Sequence, residues 1–466
     1  MLKVRNLCYT YPGADKAALS GVSFRIQQGE CICVTGHSGC GKSTLLLALK
    51  GLLHDGDKSG EILYGSGASP EVAVLSGMGL VFQNPETQLL CATVYDEVAF
   101  GPENLCLPKV EIHRRIVESL SAVGLLEFGN RNVERFSEGQ KQRLCIASVA
   151  SMRPDIILLD EPTSQLDRRG KDDLCGVLRR LKDQGIAIII AEHNIDPFTG
   201  LIDRFYRMDG GAIAEGSDAP PELNPCWNSN PEAAAGGRCK KASGRPAVEA
   251  EGLSVSYPGS GPILNGVDFT VSDGELVHIQ GENGSGKTTL LRVVAGVMEP
   301  DSGTLRVEGR KASEAAGALG SVLLLFQNPQ RQLFEDTVND EVAFTLKRMG
   351  LKREEIEDRV RYSLALCEAA QLSGRAPLTL SFGEQHRVAL ASVIAPDPRV
   401  LLLDEPFAGM DPAQRLRLLG ILASLRTERG TAVVIASHDP LPDPEWADRT
   451  HVMEKGRIVC GEGGLP

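Results

Sequence analysis

The 466-residue sequence contains no apolar run long enough to cross a membrane. Its longest apolar runs, such as Ile186–Ala191 and Val322–Phe326, are far shorter than the roughly 18 to 20 residues that a transmembrane helix needs. The first residues, MLKVRNLCYTYPG, predict a strand and a turn and lack the apolar segment of a signal peptide. We therefore expect a chain that acts in the cytoplasm without crossing a bilayer.

An excess of positive charge is also missing, and so are closely spaced cysteine pairs. Lys and Arg total 49 against 61 Asp and Glu, a formal net charge of −12, which disfavours binding to nucleic acid through overall charge. The 12 cysteines are scattered, and Cys226 and Cys239 lack the CxxC pairing of a zinc site. The sequence therefore predicts a folded, reduced protein that has no zinc site of this kind and does not bind nucleic acid.

The sequence does contain an internal repeat. The segment GHSGCGKSTLL at Gly36–Leu46 returns as GENGSGKTTLL at Gly281–Leu291. Tyr11 and Tyr257 lie 246 residues apart, and other matched residues keep almost the same spacing. We predict a tandem duplication with domains at residues 1–216 and 247–466, joined by a flexible connector at 217–246 that is rich in Pro, Gly and Ala.

Within each half, short β-branched runs alternate with helical segments, a pattern that predicts an α/β fold with parallel strands and helical crossovers. An insertion in each half shows apolar residues on one helical face, which predicts a helical subdomain with these residues in its core. These residues are Ile112, Ile116, Leu120 and Val123 in the first half and Ile356, Val360 and Leu364 in the second.

Two segments satisfy the pattern GxxxxGK[ST] directly after an apolar strand and before a helix. The glycines allow backbone N–H groups to surround phosphates, and Lys42 and Lys287 reach the β- and γ-phosphates. Ser43 and Thr288 supply hydroxyl ligands for Mg²⁺. The predicted phosphate-binding positions are Gly36, Ser38, Gly39, Gly41, Lys42, Ser43 and Thr44, with Gly281, Asn283, Gly284, Gly286, Lys287, Thr288 and Thr289 in the second half.

Paired carboxylates end a later apolar strand in each half, in IILLDEP and VLLLDEP. Asp160 and Asp404 are predicted to hold Mg²⁺. Glu161 and Glu405 are predicted to polarise the attacking water. Behind two phosphate-binding loops, this interpretation is favoured over a structural cap at the strand end.

A histidine and a glutamine complete each predicted catalytic set. His193 and His438 each follow a β-rich run, and we expect both to act at the γ-phosphate. Gln83 and Gln327 lie in FQNP turns, where an amide can bridge Mg²⁺ and the attacking water.

The combination resembles the ATP-binding-cassette (ABC) ATPases. FSEGQKQR at Phe136–Arg143 and LSFGEQHR at Leu380–Arg387 stand where that family carries its LSGGQ signature. The segments around the two FQNP turns look like those of energy-coupling-factor (ECF) transporter ATPases, which import vitamins and transition-metal ions. Further matches are the adenine-stacking aromatics Tyr11 and Tyr257 and the D-loop residues Asp167 and Asp411.

The resemblance implies two P-loop domains, each a mainly parallel sheet with an antiparallel β part and a helical subdomain. It also implies that the domains pair head to tail within the chain and share two Mg·ATP sites. Site one then combines Lys42, Ser43, Gln83, Asp160, Glu161 and His193 with Ser381 and Gly383. Site two combines Lys287, Thr288, Gln327, Asp404, Glu405 and His438 with Ser137, Gly139 and Gln140.

Both signatures depart from the family pattern. Glu138 and Phe382 replace a glycine, and Glu384 replaces the glutamine. A carboxylate near phosphates is unfavourable unless its charge is offset locally. Our hypothesis is that both sites bind Mg·ATP and that site two carries more of the turnover.

The resemblance favours a transport ATPase peripheral to the cytoplasmic side of the cell membrane. Its partners would be an energy-coupling transmembrane subunit and a small substrate-binding membrane protein. The alternatives are a soluble double-cassette ATPase that acts on ribosomes or nucleic acid, which the short Pro/Gly-rich connector disfavours, and a non-hydrolysing regulator, which both glutamates and both histidines disfavour. The cargo stays open among a vitamin, a thiamine precursor, cobalt and nickel.

Overall fold

The computed structural model describes residues 1–65, 77–164, 166–214, 245–257, 261–311 and 320–459. The chain divides into two compact units, Met1–Pro225 and Cys226–Pro466. Residues 217–244 of the predicted connector, with Cys226 and Cys239, lie outside the described residues. The first strand of the second unit begins at Pro246, one residue before the predicted domain start.

The first unit contains nine strands and five α-helices among its described residues. The strands are β1 (Leu2–Thr10), β2 (Leu19–Ile26), β3 (Cys31–Thr35), β4 (Asp57–Tyr64), β5 (Met78–Val81), β6 (Ile156–Asp160), β7 (Ala187–Ala191), β8 (Arg204–Asp209) and β9 (Ala212–Ile213). The helices are α1 (Lys42–Lys50), α2 (Val94–Asn104), α3 (Lys109–Ala122), α4 (Glu138–Ser151) and α5 (Arg168–Asp183).

The second unit repeats this order. Its strands are β10 (Pro246–Ser256), β11 (Pro262–Ser272), β12 (Leu276–Gln280), β13 (Ser302–Val307), β14 (Arg310–Lys311), β15 (Val322–Leu325), β16 (Val400–Asp404), β17 (Ala432–Ser437), β18 (Arg449–Glu454) and β19 (Arg457–Val459). Its helices are α6 (Lys287–Val294), α7 (Val338–Arg348), α8 (Arg353–Leu366), α9 (Phe382–Ile394) and α10 (Pro412–Arg429).

Each unit is built on a six-stranded sheet. The strand orders are β5-β6-β7-β3-β8-β9 and β15-β16-β17-β12-β18-β19. All pairs are parallel except the last in each sheet. Strands β3, β7 and β17 are buried along their whole length, which explains their continuous apolar sequences, because parallel strands are covered on both faces. The predicted α/β fold with a parallel sheet core is confirmed.

A second, antiparallel sheet completes the β structure of each unit. In the first unit its order is β2-β1-β4, and in the second it is β11-β10-β13-β14. Alternating buried and exposed residues along β2 show that one face packs on the core. The antiparallel part that the resemblance implied is therefore present in both units.

The predicted helical subdomains form around α3 and α8. Ile116 and Leu120 of α3 are fully buried, as is Val123 just after it, and Ile112 packs against the same core. In the second unit Val360 and Leu364 are buried, while Ile356 is partly buried against the core. The period of the apolar residues therefore identified the correct face of each helix.

Leu120→Ala tests this packing. Removing a buried leucine side chain leaves a cavity, so we expect a loss of about 2–5 kcal/mol in the free energy of unfolding of the first unit. The matched control is Val110→Ala on the same helix, because Val110 is 83% exposed. Differential scanning calorimetry of both variants measures the effect, and equal shifts in the two would contradict the packing.

Candidate functional site

Each predicted phosphate-binding loop joins the middle of the parallel sheet to a helix. The first runs from β3 to α1, and the second runs from β12 to α6. Gly41 and Gly286 directly precede these helices with φ of 110° and 108°, a left-handed conformation that favours glycine. A Cβ on Gly36 would lie 2.2 Å from the carbonyl oxygen of Met208. The backbone N–H groups at each helix start are therefore suited to an anion, and the first loop admits no side chain at Gly36.

The loop lysines are buried and folded across their own loops. Lys42 Nζ donates to the carbonyl oxygens of Gly36 at 2.8 Å and His37 at 3.1 Å. It also lies 3.9 Å from Glu161 Oε1.

Lys287 repeats the arrangement. Its Nζ donates to Gly281 O at 2.7 Å and Glu282 O at 3.1 Å, and it lies 3.4 Å from Glu405 Oε1. Both ammonium groups are thus held at the loop, beside the glutamate predicted to act on water.

Asp160 and Asp404 end β6 and β16 beside the hydroxyl group that follows each lysine. Thr288 Oγ1 donates to Asp404 Oδ1 at 3.1 Å, and Ser43 donates to Asp160. Burial raises the pKa of each carboxyl to about 6. Asp160 Oδ1 is buried and has no hydrogen-bond partner among the described residues. A buried carboxylate oxygen beside a hydroxyl fits the oxygen ligands that Mg²⁺ prefers.

Glu161 and Glu405 have an unusual backbone conformation. Their φ values are 41° and 47°, in the left-handed region that is unfavourable for residues other than glycine. Backbone hydrogen bonds of 2.8 Å, from Glu161 N to Ala191 O and from Glu405 N to Ala436 O, fix each residue to the neighbouring strand. The sheet therefore fixes the direction of each glutamate.

Side chains from distant loops meet these glutamates. Gln83 Nε2 donates to Glu161 Oε2 at 2.8 Å, and His193 Nδ1 lies 3.8 Å from Glu161 Oε1. In the second unit, His438 Nδ1 lies 2.8 Å from Glu405 Oε2. Gln327 lies half-buried in the turn that corresponds to that of Gln83. Each unit thus gathers a lysine, a glutamate and a histidine, and the first also brings its glutamine into direct contact.

The predicted adenine-stacking tyrosines directly follow the first strand of each unit. Tyr11 is 40% exposed, and its hydroxyl lies 3.2 Å from Thr44 Oγ1 beside the phosphate-binding loop. Its ring packs edge-on against that of Tyr9. Tyr257 is half-buried. An exposed ring face next to the loop suits stacking on a base.

Ser137 and Ser381 cap the N-termini of α4 and α9 and are exposed to solvent. Both helices begin with a capping box, in which the cap and the third helical residue bond reciprocally. Gly139 and Gly383 are the second residues of these helices. Both cap residues are therefore accessible from solvent.

The two glutamates of the signature segments, Glu138 and Glu384, are paired locally. Glu138 lies 3.1 Å from Lys141. Glu384 Oε2 accepts from the Ser381 hydroxyl at 2.8 Å and from its backbone N at 2.9 Å, and Arg375 lies 4.0 Å from Glu384 Oε1. The negative charge of Glu384 is therefore offset, but it also takes the serine hydroxyl. At the corresponding position the neutral Gln140 accepts from the backbone N of Ser137 at 3.0 Å.

Sequence reasoning missed a pair of buried polar contacts next to the histidines. Glu192, directly before His193, is buried and accepts from Thr163 Oγ1. Burial raises the pKa of Glu192. At the corresponding place in the second unit, Ser437 Oγ lies 2.8 Å from His278 Nε2. The sequence does show a difference at this point, because the segment AEH in the first half corresponds to ASH in the second.

The comparisons with known proteins agree with this geometry. The model of the ABC transporter family matches residues 19–164 and 264–408, more than half of the chain. The chain therefore belongs to the ABC transporter family, whose ATP-binding proteins hydrolyse ATP. Of the helices among the described residues, none is long and apolar enough to cross a membrane.

Related proteins match over nearly the whole chain. An ABC transporter ATP-binding protein of Methanosarcina mazei is 33% identical over an alignment that covers 100% of this chain and 89% of that protein. A Bacillus subtilis protein, YkoD, named as an HMP/thiamine import ATP-binding protein, is 31% identical and covers 97% of this chain and 90% of its own length. The solved structure of CbiO1 from Clostridium perfringens, described as part of the ABC transporter complex CbiONQ, is 32% identical with a TM-score of 0.42, and the match covers 46% of this chain and 87% of that one.

Asp404→Asn tests the electrostatics of the site. The folded-state pKa of Asp404 is raised to about 6, so ionisation destabilises the fold as pH rises through the range from about 4 to 6. Without nucleotide at pH 7.5, the variant is expected to be more stable by up to about 3 kcal/mol, and this gain should vanish towards pH 4. It should also lose the stabilisation that Mg·ATP gives at this loop.

Urea unfolding measures both effects, with the exposed Asp336→Asn in the same unit as control. If Asp404→Asn were less stable than the parent protein at pH 7.5, the buried carboxylate would not be the unfavourable group that we describe.

Proposed function

We propose that this chain is the ATP-hydrolysing subunit of an ECF-type importer, which takes up a vitamin or a transition-metal ion together with separate membrane proteins. The observation that carries the proposal is the presence of a catalytic set in both units of one chain, with Lys42, Glu161 and His193 in the first and Lys287, Glu405 and His438 in the second. The import assignment draws support from the name of the B. subtilis relative. A vitamin, a thiamine precursor, cobalt and nickel all stay open as cargo.

The residues of each unit have distinct roles in the proposed hydrolysis. Ser43 and Asp160 would hold Mg²⁺ in the first unit, and Thr288 and Asp404 would hold it in the second. When bound, Mg²⁺ neutralises charge on the β- and γ-phosphates. Lys42 is already at the loop and adds a second positive charge there.

The glutamates act on the attacking water. Gln83 donates through its amide nitrogen to Glu161, which leaves its amide oxygen available to the metal or to the water. The fixed carboxylate then accepts a proton from that water as it attacks the γ-phosphate. His193 and His438 lie beside the same carboxylates, at 3.8 Å and 2.8 Å, and both would act at the γ-phosphate.

In this proposal each unit supplies only part of an ATP site. The signature serine of the other unit would meet the γ-phosphate, with its helix N-terminus offering N–H groups and a positive dipole end. Both signature serines are exposed helix caps, which supports such an arrangement. ATP then favours the joined state of the units, and hydrolysis releases it.

The two proposed sites differ in the signature that they receive. Site one receives Ser381, whose hydroxyl donates to Glu384 and must leave that carboxylate before it can donate to a phosphate. Site two receives Ser137, next to the neutral Gln140. Because a carboxylate close to phosphate is repulsive, site two carries more of the turnover in this proposal.

Separate substitution of the two glutamates tests this division. Glu405→Gln removes the proton acceptor of site two, and we expect the ATPase rate to fall on the order of a hundredfold if that site dominates. Glu161→Gln is expected to lower the rate only about two- to threefold. Phosphate release is measured on the complex with its membrane partners, and a larger loss from Glu161→Gln would reverse the assignment.

Exposed apolar side chains support a membrane partner. Leu90 is 70% exposed in the segment after Gln83, and Phe100 on α2 is 46% exposed. In the second unit Phe334 is 59% exposed and packs edge-on against Phe344. Exposed apolar side chains near a functional site are typical of a protein interface. Leu90 and Phe334 lie in the segments that directly follow the FQNP turns of Gln83 and Gln327.

Leu90→Asp together with Phe334→Asp should therefore abolish retention on membranes that contain the transporter subunits, while ATP binding by the isolated chain is unchanged. The control is Val110→Asp, because Val110 is an exposed apolar residue on α3. Flotation of membranes followed by immunodetection measures retention. Recovery of the parent chain with ribosomes instead of membranes would contradict the transporter assignment.

A further inference from the structure

A cavity of about 240 Å³ lies within the second unit, beneath the start of α9. It lies between the end of α8, one face of α9, the loop before α10 and the first turns of α10, and it is partly open to solvent. Apolar side chains form most of its wall, among them Phe382, Leu390, Met410, Leu418 and Ile421. For comparison, an apolar cavity of about 150 Å³ accommodates benzene, so this space suits a single ring or a fused pair of rings.

One buried polar side chain lines this cavity without a partner. His386 is only 2% exposed, and neither Nδ1 nor Nε2 has a hydrogen-bond partner among the described residues. A buried polar group without a partner is unfavourable, and folded proteins retain few of them. Burial lowers its pKa to about 4, so the ring is neutral and offers one donor and one acceptor.

The charged groups at the edge of the cavity are engaged with each other. Arg417 NH1 lies 2.8 Å from Glu368 Oε2, and Arg387 NH1 donates to Glu368 O at 2.9 Å. Both arginines are therefore held at the edge of the cavity by Glu368, while the wall itself is mostly apolar and its buried polar ring, His386, is neutral. An uncharged ligand fits these walls, with an aromatic ring for the apolar surface and one polar group for His386.

The position of the cavity connects it to the nucleotide chemistry. Phe382 and Gly383 directly follow the cap residue Ser381, and Met410 directly precedes Asp411, the cap of α10. A ligand between these two helix starts would fix their separation. In the first unit Glu138 and Gln142 stand at the positions of Phe382 and His386. The aromatic side chain and the histidine ring that line this cavity are therefore specific to the second unit.

We propose that this cavity binds a small uncharged aromatic compound with one hydrogen-bonding group, held by His386, and that its occupancy changes the rate of ATP hydrolysis at the site that Ser381 completes. The proposed binding is supported by the cavity and by His386. The effect on rate rests on the proposed function.

Binding is tested on the full chain with indole, phenol and benzimidazole, and with toluene as a ring that lacks a hydrogen-bonding group. Saturation-transfer NMR and thermal unfolding are the readouts. We expect at least one of the first three probes to bind with an affinity of about 1 mM or tighter, and toluene to bind more weakly. His386→Phe, which fills the space and removes both ring nitrogens, should weaken that binding at least tenfold, while His113→Phe at an exposed histidine should not change it.

Ile421→Trp is a second blocking variant at a half-buried position of the wall, used if His386→Phe does not fold. Failure of all three polar probes to bind, or binding that is unchanged in the blocking variant, would overturn the site.

The effect on rate is measured as ATPase activity with and without the bound probe. A probe that binds through His386 without changing the rate would overturn the regulatory part alone. The proposed function fails by a different measurement, namely recovery of the parent chain with ribosomes instead of membranes, so the two failures are distinguishable.

Discussion

A buried ammonium group beside buried carboxylates is the interaction on which each unit depends. Lys42 and Lys287 are withdrawn from solvent, yet each lies within 4 Å of a glutamate at the edge of the sheet. Burying one of these charges without the other would cost several kcal/mol. The two charges therefore have to be buried together. The fold achieves this through the glycine loop, which holds the lysine, and through the strand end, where the glutamate has a left-handed backbone conformation.

The lysine of each unit does not offset all of the buried negative charge around it. The carboxyl groups of Asp160 and Asp404 have pKa values raised to about 6 because they are buried, and Asp160 Oδ1 has no partner among the described residues. Each unit thus holds more buried negative charge than its lysine offsets, which favours a divalent cation with a bound nucleotide. Excess buried charge lowers the stability of the fold, and it is characteristic of a functional site that is arranged to bind a ligand.

Much of this could be predicted from the sequence, because it depends on local pattern. The glycine loops, the strand-end carboxylates and the apolar face of α3 follow from residues that are close together in the chain. The left-handed backbone of Glu161 could not be predicted, because it is imposed by a hydrogen bond to Ala191, a residue of another strand. The contact of Glu192 with Thr163, the engagement of Ser381 by Glu384 and the unpartnered ring of His386 likewise depend on burial and on side-chain direction, which periodicity does not specify. The pairing of the two units stays a prediction.

The central claim is that each ATP is held by the loop of one unit and the signature serine of the other. Cysteine pairs test it most directly, one pair placed at Ser38 and Ser381 and the other at Asn283 and Ser137, in a chain that also carries Glu161→Gln and Glu405→Gln. Peptide mass spectrometry then identifies the crosslinks. The account predicts that both disulfides form with Mg·ATP and decline without it. Absence of both crosslinks with Mg·ATP, or equal yields without nucleotide, would contradict it.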